Sequence, residues 1–295
     1  MEQPINIDRE TCTVCGLCEE ICPVRLMTKD SDGGISFRPD RVPLCMKCGQ
    51  CMAVCPSQSI VVDGLDYERD FFELPPGSAS EMPFLEMIQT RRAVRVFKDK
   101  PVPRELLEKV VEAITFAPPG FTPLKIEIVV VQDTAVIRQA LPEMIKVYET
   151  LVKIMGNPVG RFLVRRKIGA AKFRTVKGHV VPLMKSRLPE LKAGTEDTIT
   201  RYAPAMIIFH AHRDAENYES DISIALTYGF LAAHALGLGG SAIDLIPPAI
   251  ENSPVLRELF SIPDSNVAVA SMILGYPKYR YQRGIKRELR GVSWM

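Results

Sequence analysis

The run CTVCGLCEEICP at residues 12–23 returns at residues 45–56 as CMKCGQCMAVCP, 33 residues later. Each copy follows Cys-x2-Cys-x2-Cys-x3-Cys-Pro, and the two copies hold all 8 cysteines of the 295-residue chain. Thiols at such density either pair as disulfides in an exported protein or bind metal in one that stays inside. The N-terminus, MEQPINIDRE, lacks the basic and apolar regions of a signal peptide, so ligation and a cytoplasmic location are expected.

In this spacing three closely set thiolates wrap one face of an iron–sulfur cube. The fourth, after a longer gap and before proline, reaches the neighbouring cube. The reading assigns Cys12, Cys15, Cys18 and Cys55 to one [4Fe-4S] cluster, and Cys45, Cys48, Cys51 and Cys22 to a second. Zinc is the competing reading, because paired Cys-x2-Cys motifs also hold it, usually as two separated pairs of ligands. The crossed arrangement would let about 64 residues with little apolar core fold around their metal. Gly16 and Gly49 sit where the backbone must bend close to sulfide. Residues 1–64 resemble bacterial-type ferredoxins with two [4Fe-4S] clusters. The resemblance implies a one-electron wire with no organic substrate site of its own.

The rest of the chain must then hold the place where electrons go. Its composition is that of a globular protein, 46% hydrophobic and 24% charged, with no apolar run long enough to span a membrane. Residues 1–64 carry 6 Lys/Arg against 9 Asp/Glu, net −3, and residues 65–295 carry 31 against 26, net +5. Residues 65–86, with PPGSAS at 75–80, read as a linker between a 1–64 domain and an 87–295 domain. In the larger domain helical spacing in LEMIQTRRAVRVF, PRELLEKVVEAITFA, 135–154, part of 159–187 and 220–238 alternates with strand-like PLKIEIVVVQD, AMIIFHAH and NVAVASMILGYP. The expected class is α+β: a central mixed sheet with helices around it.

TRRAVRVF (90–97) places Arg91, Arg92 and Arg95 within five residues, a pattern suited either to an anion or to a solvated helix end. Downstream stand APPG (117–120), ALGLGG (235–240), LGYP (274–277) and KREL (286–289). In this order these phrases resemble the FMN-dependent nitroreductase family across about residues 87–295. The resemblance implies an FMN-dependent oxidoreductase with an α+β sandwich core, working as a homodimer with FMN at the interface. It further implies that Arg91, Arg92 and Arg95 hold the phosphate and the N1/O2 side of the ring, with Lys286 and Arg287 meeting the phosphate from the other end. Ser241, Ala242, Ile243, Asp244 and Leu245 would form a turn under the isoalloxazine, and Pro118, Pro119 and Gly120 would shape a loop against it. Two departures stand out: Ala93 replaces a usual serine, and FTPLKI (121–126) replaces the usual continuation after APPG, which puts contacts from Thr122, Leu124 and Lys125 in question.

ALGLGG is not a dinucleotide fingerprint, since no strand leads into it, and it reads instead as a tight turn after a buried helix. With no NAD(P)H-binding domain visible, electrons are expected through iron–sulfur from a ferredoxin-type or other low-potential donor, and onward to a nitroaromatic, quinone or activated alkene. A non-enzymatic electron carrier or redox sensor is the alternative. Residues 134–199 separate strands widely and are expected to shape or cover the substrate pocket. Within them, 161–187 carries nine Lys/Arg and no acid, read as a charged helix surface or a docking face for an acidic carrier. No nucleic-acid motif is present. His210 and His212 share one face of a strand but lack a third ligand, so packing is the expectation.

Overall fold

The computed structural model describes residues 4–31, 33–74, 84–120 and 124–295. The PPGSAS stretch and Thr122 therefore lie outside the described residues. Contacts divide the chain into two units, Met1–Pro76 with Arg280–Met295, and Gly77–Tyr279.

The first unit is built twice over from the cysteine phrase. Its elements are β1 (Ile5–Ile7), α1 (Leu17–Ile21), β2 (Met27–Lys29), β3 (Ile35–Phe37), α2 (Gln50–Val54), β4 (Ile60–Val62), α3 (Tyr67–Asp70) and β5 (Phe71–Glu73). Strand β1 pairs antiparallel with β4, joining the ends of the repeat, and β2 pairs with β3. Each phrase bends through a left-handed glycine, Gly16 at φ 79° and Gly49 at φ 73°, directly before a five-residue helix. Small apolar side chains fill the interior, among them Ile5, Leu26, Met27, Met52, Val54 and Val62. The stretch from residue 65 to 74, expected as linker, forms α3 and β5 instead. Asp66 caps α3 by accepting from the amides of Glu68 and Arg69.

The second unit runs through α4 (Phe84–Thr90), α5 (Arg104–Thr115), β6 (Glu127–Val131), α6 (Thr134–Met155), α7 (Pro158–Thr175), α8 (Val181–Ala193), β7 (Ala205–His212), α9 (Tyr218–Ala235), β8 (Gly239–Ala242), α10 (Ile246–Glu251), α11 (Pro254–Leu259) and β9 (Asn266–Gly275). Four strands form a sheet in the order β6-β7-β9-β8. These strand pairs are all antiparallel, and the parallel part of the expected mixed sheet is a single bridge, Ala93 with Gly240. On one face Leu107, Val110 and Ile114 of α5 and Ile222, Ala225 and Ala233 of α9 pack on Ile207, Phe209, Met272 and Leu274. Helices α6 and α10 take the other face. Strand β7 is thus covered on both sides, which is why AMIIFHAH is an unbroken apolar run. Helices α5 and α9 come close because position 229 is glycine: a Cβ there would stand 3.2 Å from Ile114 Cδ1.

Within the 134–199 segment, α6 is part of the core: Ile137, Ala140, Met144, Ile145 and Tyr148 are buried at helical spacing. Helix α7 has no buried residue and breaks at Gly169, φ 79°. It leaves Phe162 and Leu163 on the surface among its arginines and lysines. The chain after β9 returns to the first unit as β10 (Arg283–Ile285), antiparallel to β5.

Candidate functional site

In the first unit the eight thiols fall into two groups of four. One pocket is lined by Cys12, Cys15, Cys18 and Cys55, with Gly16 and Ile60 beside them. A second is lined by Cys45, Cys48, Cys51 and Cys22, with Gly49 and Met27. None of the eight forms a disulfide. Among the described residues no three His, Cys, Asp or Glu side chains converge on a single ion; the thiols line each pocket instead.

Their chemistry calls for a cation. Burial pushes the Cys18 thiol up to about 12, with nearby Cys15, Cys55 and Cys12 adding to the effect. Burial raises Cys22 and Cys51 in the same direction, and neighbouring thiols add to both. Four buried sulfurs that repel one another as thiolates become favourable ligands once metal charge sits among them. Donors to sulfur are already in place. The Leu26 amide donates to Cys22 Sγ at 3.4 Å, and the Ser57 hydroxyl lies 3.6 Å from Cys55 Sγ. The residues present fit two iron–sulfur clusters.

In the second unit the arginine phrase is held by its neighbours on both sides. The Val94 amide donates to Gly240 O at 3.0 Å, which lays the phrase alongside β8. Arg91 places its guanidinium 5.8 Å from the Phe230 ring centroid. Arg92 Nη1 donates to Arg91 O at 2.6 Å, and Arg95 is half-buried. His234, the residue immediately before ALGLGG, was not singled out by the sequence. Its Nε2 lies 2.9 Å from Thr90 Oγ1. Burial, and then the charges of Arg91 and Arg92, lower its pKa to about 4. The imidazole is neutral at ordinary pH, and with Thr90 it braces the start of the phrase. A histidine on a buried helix one turn before the glycines, in a chain with an arginine cluster, was the available signal.

Ser241 and Ala242 belong to β8 and not to a turn, a correction to the reading of 241–245, while ALGLGG itself turns at Leu236 and Gly237 directly after α9. Glycines are sparse in strands, so GGSA reads as a bend. Here Gly239 has no room for a side chain, because a Cβ would meet Val94 Cγ2 at 2.5 Å. The Ile243 amide donates to Ser271 O at 3.2 Å and is already used within the sheet. Asp244 is exposed, and Leu245 O accepts the buried Tyr148 hydroxyl at 2.6 Å. Arg91, Arg92, Arg95, Ser241 and Ala242 are thus brought into one region.

The loop of Pro118, Pro119 and Gly120 stands elsewhere. Gly120 N donates to Asp221 Oδ1 at 2.8 Å, at the start of α9, whereas the arginine phrase meets Phe230 and His234 near its end. Asp221 and His234 are about 20 Å apart along a helix. Lys286 and Arg287 belong to the first unit. Lys286 donates from Nζ to Glu68 O at 3.1 Å and from its amide to Asp70 O. His210 is a buried structural side chain whose Nδ1 accepts from Asn266 Nδ2 at 2.9 Å, and His212 is exposed.

Residues 88–276 match the model of the nitroreductase family, so the chain belongs to that family. Residues 11–60 match the model of a 4Fe-4S dicluster domain. The chain is a fusion of the two. It is 25% identical over 205 residues to a protein of Methanothermobacter thermautotrophicus provisionally named NADH dehydrogenase/NAD(P)H nitroreductase, covering 68% of this chain and 81% of that one. Among solved structures, a nitroreductase with bound FMN from Bacteroides fragilis shares the fold with a TM-score of 0.51 at 20% identity, over 72% of this chain and 97% of that one. A nitroreductase with bound FMN from Desulfitobacterium hafniense gives a TM-score of 0.50 at 16% identity, over 72% and 97%.

Proposed function

We propose that this chain is an iron–sulfur flavoprotein oxidoreductase of the cytoplasm. It would deliver electrons through two [4Fe-4S] clusters and FMN to an organic acceptor of the nitroaromatic, quinone or activated-alkene type. The observation that carries the reading is the grouping of eight thiols four by four in a chain whose other unit is a nitroreductase-family fold. When bound, the clusters supply single-electron transfer and FMN supplies the exchange between single electrons and hydride.

The residues divide the work. Cys12, Cys15, Cys18 and Cys55 would hold one cluster, and Cys45, Cys48, Cys51 and Cys22 the other. Arg91, Arg92 and Arg95 offer fixed positive charge for the flavin phosphate and the N1/O2 edge, where a cation favours the reduced anionic ring. Neutral His234 keeps that charge oriented without adding to it. Strand β8 supplies Ser241 and Ala242 beside the phrase. Because Gly120 and Arg91 are tied to opposite ends of α9, a second copy of the chain is proposed to bring its Pro118–Pro119–Gly120 loop to the flavin, as a homodimer. A ferredoxin-type or other low-potential protein is the proposed donor.

The test is turnover of anaerobically prepared holoprotein driven by a reduced low-potential ferredoxin, with a nitroaromatic or quinone as acceptor. Cys48→Ala is expected to lose ferredoxin-driven turnover while keeping its FMN. Full ferredoxin-driven turnover in that variant would sink the scheme.

A further inference from the structure

Helix α7 carries Arg161, Arg165, Arg166, Lys167, Lys172 and Arg174 and no Asp or Glu. None of its 18 residues is buried, yet its first half is rich in apolar side chains. Val159, Phe162 and Leu163 are 65%, 63% and 57% exposed. At about 100° per residue these three and Arg166 share one face, with Arg165 on one flank and Lys167 on the other. Arg161, Val164 and Ile168 fall on the opposite face, and each is half-buried, so that face lies toward the protein. The outward face is an apolar stripe edged by cations.

The helix is held in place without its stripe. Gly160 packs so close to the end of α6 that a Cβ there would collide with Ile154 O. Asn157 Oδ1 caps the first turn, accepting from the Val159 amide at 2.8 Å. Lys167 Nζ donates to Asn252 Oδ1 at 3.1 Å, at the end of α10. The stripe is therefore presented on a preformed helix.

A contiguous apolar patch with a polar rim marks a surface that meets a partner. Charge decides which. Two copies of α7 face to face would set cation against cation. An anionic bilayer meets both features at once: lipid phosphates attract each cation, and the boundary between headgroups and acyl chains takes Val, Phe and Leu without a fitted pocket. Arginine and lysine stems lie along such a boundary with their charges among the headgroups.

We infer that α7 docks this protein on an anionic membrane surface, with Val159, Phe162 and Leu163 inserted shallowly and Arg165, Arg166 and Lys167 among lipid phosphates. This is attachment to a surface, distinct from a span, for which no helix among the described residues is long and apolar enough. The inference stands apart from the cluster and flavin readings.

The experiment is flotation of the anaerobically prepared full-length protein with vesicles of phosphatidylcholine alone or of equal parts phosphatidylcholine and phosphatidylglycerol. Binding is expected to the anionic vesicles, to weaken as salt is raised and to be lost on the neutral ones. Arg165→Gln with Arg166→Gln is expected to lower partitioning by about fivefold for each cation removed. Phe162→Ser with Leu163→Ser is expected to lower it by at least about tenfold. Both pairs lie on the exposed face, so the unfolding midpoint is expected to stay unchanged. Equal binding to both vesicle types by the wild-type protein would overturn the inference, a result that depends on no variant. So would wild-type partitioning of the Phe162→Ser, Leu163→Ser protein. Absence of vesicle binding, with salt-sensitive binding of an acidic ferredoxin instead, would overturn it and assign the face to a protein. A change of oligomeric state in the Phe162→Ser, Leu163→Ser protein, by light scattering, would overturn it in favour of a second copy.

Discussion

Val14, Gly16 and Arg25 have φ of 51°, 79° and 51°; 33 residues later Lys47, Gly49 and Gln58 have 48°, 73° and 54°. The repeat in the sequence is therefore a repeat in backbone strain, residue for residue. Left-handed geometry disfavours side chains by about 1–2 kcal/mol each, most of all a β-branched one such as Val14. Such strain persists where the surroundings over-determine it, here where thiols must face inward around a cluster. The two glycines are not equivalent. A Cβ on Gly16 would meet the flexible end of Lys29, at 2.7 Å from Cε, whereas one on Gly49 would meet the buried Phe71 ring. Gly49→Ala is expected to speed iron release to a chelator by roughly 5–30-fold, the equivalent of about 1–2 kcal/mol, and Gly16→Ala by less. Equal, unchanged release rates in both would contradict this account of the loops. The cysteines and glycines were legible because ligand spacing is written locally. His234 and Arg283 were not, because each meets a partner far away in the chain.

Among the elements, legibility followed burial. Strand β7 was read at its true bounds, since both its faces are covered and all but His212 are buried. Helices α5, α6 and α9 follow from their spacing. Strand β8 was hidden by its glycines, which are there because Val94 on one side and Ile273 O on the other leave no space at 239 and 240. The same crowding explains how the arginine phrase is held. Gly239→Ala would push Val94, and with it the phrase, away from β8. Overpacking of this kind destabilises by about 1–3 kcal/mol. We expect Gly239→Ala to lower the unfolding midpoint and to weaken FMN retention, measured by flavin fluorescence after gel filtration. Wild-type retention would contradict the placing of the flavin beside β8. The stretch from 65 to 74 was misjudged for a related reason: β5 is a three-residue strand whose partner β10 lies more than two hundred residues later.

At the scale of the whole chain, the nitroreductase-family match ends at residue 276, and the second unit ends at Tyr279. Residues 280–295 belong with the cysteines. A linear reading assigns them to the larger domain because they are contiguous with it, and pairing between β10 and β5 cannot be seen from either strand alone. No helix among the described residues is long and apolar enough to cross a membrane. The two-part organisation itself was legible, since one part owns every cysteine and the other owns the arginine and glycine phrases. The central claim is that both parts are loaded in one chain. It is tested most directly by measuring iron, acid-labile sulfide and acid-released flavin per chain on anaerobically purified protein. The account predicts about eight irons, about eight sulfides and about one FMN per chain. Iron without flavin would contradict the oxidoreductase reading, and zinc in place of iron would contradict the reading of the cysteines.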